Sequence, residues 1–179
     1  VPLSVSLLPV VILLIQMAGW FEYRPLGVHA PALLTVQLDP AVDVMKEALD
    51  LRAPPGLSVE VGPVRIPARN EVSWRVRPDQ PGRYQAEIAV GDYNTGKRIV
   101  VGSSLIRVSP LRPGPGFWGQ FLNPSERAFQ AGEPVVSIEV RHPAGSFELG
   151  GHSLHWLVVF FVLTLVFGFA LMKPLHVTV

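Results

Sequence analysis

The chain has no cysteine, which removes disulfide bridges and thiolate metal ligands while leaving the compartment open. It has no charged residue in positions 1–21 or 154–172. Of its 15 basic and 14 acidic side chains, all but Lys173 fall between Glu22 and His155. They leave that stretch neutral and without a basic stripe, which argues against nucleic acid as a partner. There is no G-x-S-x-G elbow, no H-E-x-x-H and no carboxylate pair in apolar surroundings, so the chain reads as not an enzyme and no catalytic residue is named. Neither uncharged run holds the Asp, Glu, Lys or Arg of a proton relay or ion path. Internal repeats and heptads are absent, and no small-molecule substrate is evident.

What is present is apolar. Hydrophobic residues make up 49% of the chain against 16% charged, and the mean hydropathy is +0.35. The excess sits in the two uncharged runs. A helix over 1–21 is about 31 Å long at 1.5 Å per residue, the thickness of a bilayer's hydrocarbon core. The second run, 154–172, stops at Lys173-Pro174, with Lys173 placed to snorkel. Trp20, Phe21 and Tyr23 close the first run and Trp156 opens the second, as an interfacial aromatic belt does. These features predict transmembrane helices at 1–21 and 154–172 around an extracytoplasmic domain at 22–153, with a cytoplasmic tail at 173–179. The expected location is a bacterial inner membrane with the central domain in the periplasm. The first run lacks a basic n-region and a small-x-small cleavage site, so a retained helix is expected over a signal peptide, with further protein upstream of Val1. Ser4, Ser6, Gln16 and Thr164 are read as interhelical hydrogen-bonding groups, and Pro9 as a local loosening of the first helix.

Between the runs, period-2 alternation punctuated by Gly and Pro predicts an all-β domain with strands at 33–38, 49–53, 57–61, 72–77, 83–90, 97–101, 105–108 and 135–141. Asp79-Gln80-Pro81-Gly82-Arg83-Tyr84 leads straight into alternating residues and resembles a tyrosine corner. In immunoglobulin-like sandwiches such a Tyr hydrogen-bonds back across the turn while a Trp on an earlier strand fills the core. Tyr84 and Trp74 take those structural roles, and Ala86 stands where an immunoglobulin cysteine would. The resemblance is therefore to disulfide-free fibronectin-like or Ig-like β-sandwiches. Segment 110–134 breaks the strand pattern with proline and glycine yet carries Phe117, Trp118, Phe121, Leu122 and Phe129. Two outcomes are open for it: packing on its own domain, or docking on lipid or another subunit. Trp20, Trp156, Phe117, Trp118 and Phe121 are the candidate contact residues.

The run Gly114-Pro115-Gly116-Phe117-Trp118-Gly119 matches G-x-G-x-x-G, but Pro115 removes an amide and no βαβ unit surrounds it, so a structural turn is expected. His152 and His155, one turn apart at the outer end of the second predicted helix, are the candidate cofactor ligands, in reach of a pigment, haem or metal ion. No carboxylate or cysteine stands at ligand spacing beside them, so neither a cofactor nor a metal is expected.

The order apolar span, Tyr-Arg-Pro-Leu (23–26), Val-Ser-Trp-Arg-Val-Arg-Pro (72–78), Ser-Ile-Glu-Val-Arg-His-Pro (137–143) and second span resembles a family of uncharacterised bacterial integral-membrane proteins. Its layout is loosely similar to the membrane-insertase superfamily. The residues together predict a non-catalytic, membrane-anchored accessory subunit that stabilises a larger complex, photosynthetic or respiratory, with other integral membrane subunits and the lipid bilayer as partners. The alternative is an insertase-like or chaperone factor for membrane protein biogenesis, which requires an upstream hairpin and a polar groove.

Overall fold

The structure, a computed structural model, describes residues 3–104, 106–149 and 151–172, with side chains given for 9–104, 106–148 and 151–167. It divides into two compact units, one ending at Pro143 and one beginning at Ala144.

In the first unit, strands whose alternate residues are apolar bury those residues on one face, because successive side chains of a strand point to opposite sides. β1 (Ala32–Leu38) sends Leu34, Val36 and Leu38 fully inward and leaves Leu33 exposed. β4 (Glu71–Pro78) does the same with Val72, Trp74 and Val76. These two lie at the middle of a five-stranded antiparallel sheet completed by β3 (Leu57–Ile66), β7 (Leu111–Arg112) and β8 (Val135–Val140), in the order β3-β4-β1-β8-β7. Cross-strand contacts fix the register: Leu34 lies opposite both Trp74 and Val140, and the hydroxyls of Thr35 and Ser73 are 3.0 Å apart.

A second sheet, β2 (Leu49–Arg52), β5 (Gly82–Val90) and β6 (Tyr93–Val101), directs Leu51, Ala86, Ile88, Val90, Ile99 and Val101 into the same hydrophobic cluster. The two sheets share one core, a sandwich in which each supplies the other's apolar cover. Two glycines let it close around its largest rings. Gly62 has φ +147 and runs across Trp74, where any Cβ would collide with the indole. Gly56, with φ +92, lies where a Cβ would be 2.6 Å from the Tyr84 hydroxyl.

The helix α1 (Leu3–Phe21) precedes the sandwich. Beyond it the chain is clamped to the second sheet: Leu26 donates its N–H to Val100, accepts from Gly102, and buries its side chain in the core. Between β7 and β8 lies a short helix, α2 (Phe117–Leu122).

In the second unit, β9 (Ser146–Leu149) and β10 (His152–His155) form an antiparallel hairpin, and α3 (Trp156–Met172) starts on the next residue. Along α3, Phe161, Val162, Leu163, Leu165, Val166 and Phe167 are exposed.

Three expectations are overturned. Among the described residues no helix is long and apolar enough to cross a membrane, so the fold with two flanking transmembrane helices is not seen. The inner-membrane location and the photosynthetic assignment that rested on it lose their basis. The hairpin explains part of the change. Residues 154 and 155, expected to begin a span, are in β10, so α3 has 17 residues and reaches about 25 Å, short of the roughly 30 Å hydrocarbon layer. In α1, Pro9 lies inside the helix, and the last turn is occupied by protein: the guanidinium of Arg107 lies against Gly19. The expected anchor Lys173 and the tail 173–179 lie outside the described residues, as do the side chains of Ser4 and Ser6. The expected strand at 105–108 does not form over 106–108, and Leu105 is outside the described residues. β3 extends past position 61 to Ile66 across two irregularities in register.

Candidate functional site

Segment 110–134 is built from the inside out. At its base is a lysine where the strand pattern calls for an apolar residue. Lys97 is in phase with Ile99 and Val101 on the inward side of β6, and its side chain is 0% exposed. A buried ammonium is tolerated only with charge and hydrogen-bond partners. Lys97 donates to the Ser109 carbonyl at 2.8 Å and forms an ion pair with Glu126, whose side chain is 9% exposed. Burial pulls the ammonium below its usual pKa, and the Glu126 carboxylate opposes that shift.

His142 lies in the same electrostatic neighbourhood. It is buried, its Nδ1 is 2.8 Å from the Val140 carbonyl, and its Nε2 is sealed from water without a partner. Burial lowers its pKa, and the positive Lys97 adds to the effect. The arrangement holds a neutral ring that donates from Nδ1.

Around this pair the loop folds back on the sandwich. Phe129 is buried in the core, and the Arg112 guanidinium stacks over its ring at 4.0 Å. Arg112 also donates to the Thr95 hydroxyl at 2.8 Å and to the Gly96 carbonyl at 2.9 Å, joining the loop to β6 across the two sheets. Gln120, on the inner side of α2, accepts from the Ala128 N–H at 2.6 Å and donates to the Glu126 carbonyl at 3.1 Å. Phe129 donates its N–H to the Pro113 carbonyl at 2.9 Å. A six-residue helix has too little intrinsic stability to persist alone, so these bonds position α2.

With Gln120 turned inward, Phe117 and Trp118 of α2 turn outward and Phe121 is half-buried. Phe117 is 71% and Trp118 69% exposed, and Leu122 is also exposed. Phe117 stacks on Phe121 with centroids 5.7 Å apart, and Trp118 meets both rings edge-on at 5.4 and 6.0 Å. The result is an aromatic knuckle on a loop tied down at its base. The two outcomes left open for this segment divide by residue: Phe129 packs inward, while Phe117 and Trp118 do not.

The other predicted residues fall elsewhere. Trp74 is buried in β4, and the Tyr84 hydroxyl donates to the Gln80 carbonyl at 2.8 Å. Trp20 ends α1 beside Arg83, Arg98 and Arg107. In the second unit Trp156 is buried, with its ring 5.9 Å from that of His155. His152 and His155 are in a strand, where residues three apart face opposite sides, so the structure does not bring them together as a helix would. No group of metal-ligating side chains occurs among the described residues. The G-x-G-x-x-G run opens the six-residue α2, not a phosphate-binding helix.

The residues that sequence reasoning missed are Lys97, Glu126 and Arg112. One signal was available: a lysine in the inward phase of an alternating strand requires a buried counter-charge from elsewhere in the chain. No protein-family model, curated protein or solved structure matches this chain.

Proposed function

We propose that this chain is a non-catalytic contact subunit whose α2 knuckle docks into an apolar pocket on a partner protein. The observation that carries this reading is the pair of outward rings Phe117 and Trp118, packed on the half-buried Phe121, on a segment whose base is bonded to the sandwich through Glu126 and Arg112. Exposed aromatic rings held rigid by a polar base have the composition and pre-organisation of interface hot spots, where little side-chain entropy remains to be lost on binding. The groups with perturbed proton affinity beneath this loop, Lys97 of β6 and His142 after β8, do not favour a reaction centre. Lys97 is wholly enclosed and His142 nearly so, which leaves no path for a substrate.

The test is quantitative co-purification from the source cells with the full chain as bait. A partner in fixed stoichiometry is expected with the wild type and should be lost with F117S/W118S, while the thermal midpoint of the variant stays within about 3 °C. Recovery of the same partner at the same stoichiometry with the double variant would refute the proposal, and so would a wild-type chain that emerges alone.

A further inference from the structure

The outer face of the β2-β5-β6 sheet carries a second feature that the knuckle does not use. β5 exposes Arg83 and Gln85 and β6 exposes Arg98, on the side away from the core. Gln85 lies opposite Arg98, which makes Arg83 and Arg98 diagonal neighbours with backbones roughly 7–8 Å apart. Trp20 and Arg107 join this face in lining an open hollow of about 400 Å³. An adjoining hollow of about 200 Å³ shares Arg98 and Arg107 and adds Ser109 and Ser125.

Charge in these hollows is one-sided. No acidic residue lines either, and none of the three guanidinium groups forms an ion pair among the described residues, whereas Arg52, Arg69, Arg75 and Arg77 each have a carboxylate. The closest acid along β5, Glu87, faces Arg52 of β2, and Glu22 shares with Arg107 a third hollow that Arg83 and Arg98 do not line. Arg107 is held in place: its guanidinium lies against α1 at Gly19, where a Cβ would come within 3.0 Å of Nη2. Its Nε is sealed from water with no acceptor in the protein.

We propose that this face binds a small phosphate-bearing anion with at least two acidic groups. Planar guanidinium forks recognise phosphate oxygens bidentately, and Gln85 and Ser125 add neutral donors. Three guanidinium forks line the one hollow, more than the oxygens of a single phosphate engage bidentately, which favours a diphosphate over a monophosphate. The volume suits a small ligand, and the balanced charge of the domain as a whole argues against a polymer such as nucleic acid.

Isothermal titration calorimetry on the full chain at low ionic strength tests this with inorganic pyrophosphate and inorganic phosphate as probes. One pyrophosphate per chain is expected, bound at least tenfold more tightly than phosphate. Arg83→Ala, Arg98→Ala and Arg107→Ala should each weaken it about tenfold or more. Arg69→Ala removes the same charge far from the hollow and should leave binding unchanged. Gly19→Val keeps every charge but displaces Arg107 and should weaken binding, with an unchanged unfolding midpoint showing the fold intact. Absence of heat at millimolar pyrophosphate, equal affinity for both anions, or equal weakening by Arg69→Ala would overturn the proposal.

Discussion

Replacing Lys97 by methionine probes how the knuckle is supported. The substitution keeps the length and the apolar stem but removes the charge that Glu126 answers, leaving a carboxylate whose side chain is 9% exposed without its cation. Removing one partner of a buried pair costs about 3–5 kcal/mol, against a total stability of about 5–15 kcal/mol. For a unit of this size each kcal/mol moves the midpoint by about 3–5 °C, so Lys97→Met should lower it by roughly 10–20 °C. Removing both charges, as in K97M/E126L, takes away the desolvation cost together with the attraction, and should recover most of the loss, to within about 2 kcal/mol of the wild type. The two single variants and the double variant form a cycle, measured by urea unfolding followed through tryptophan fluorescence. A large favourable coupling energy is expected. If Lys97→Met lay within 1 kcal/mol of the wild type, or if the double variant were as unstable as the sum of the singles, the buried-pair reasoning would be wrong. Because the Glu126 carboxylate ties to Lys97 the stretch whose backbone carbonyl accepts from Gln120 of α2, Glu126→Leu alone should speed proteolysis of the loop between Pro113 and Phe129.

Two further perturbations test other parts of the core. Burial holds His142 below its unfolded pKa of 6.5, so the unfolded chain takes up a proton first as pH falls. Stability should therefore be full above pH 6.5 and decline below it, by at most about 1.4 kcal/mol per pH unit until the folded pKa is reached; His142→Phe should remove this contribution, as read by thermal midpoints across pH 5–8. Gly62→Ala forces a side chain into a backbone of φ +147 and onto the Trp74 indole, and should cost at least about 2 kcal/mol in urea unfolding, with Gly102→Ala, at the same φ but in open space, costing less.

The sandwich strands were legible because their apolar residues alternate against polar ones: Leu34, Val36 and Leu38, or Ala86, Ile88 and Val90, declare a buried face without any neighbour being known. Trp74 and Tyr84 were legible for a related reason, since a large aromatic within such a strand, or just after Pro81-Gly82, has few places to go. The second unit was not, because His152–His155 carries no clear alternation and merges into the apolar run of α3, so a hairpin and a helix read as one span. Segment 110–134 was opaque in another way. Its fold depends on Glu126 reaching Lys97 and Phe129 reaching Arg112, contacts over 29 and 17 positions of which local pattern carries no trace. Lys97 was missed although its inward phase in β6 was a signal, and its partner left none. The arginine-lined hollow was invisible because Arg83, Arg98 and Arg107 come from two strands and a connecting segment that meet only in the fold.

Site-directed photo-crosslinking addresses the central claim most directly. A benzoylphenylalanine at position 118 of the full chain, expressed in the source cells, should crosslink to one partner protein, and the same probe at position 69, on the turn between β3 and β4, should not. Equal crosslinking from both positions, or none from position 118 in an otherwise folded chain, would contradict the idea that the α2 knuckle is the docking surface.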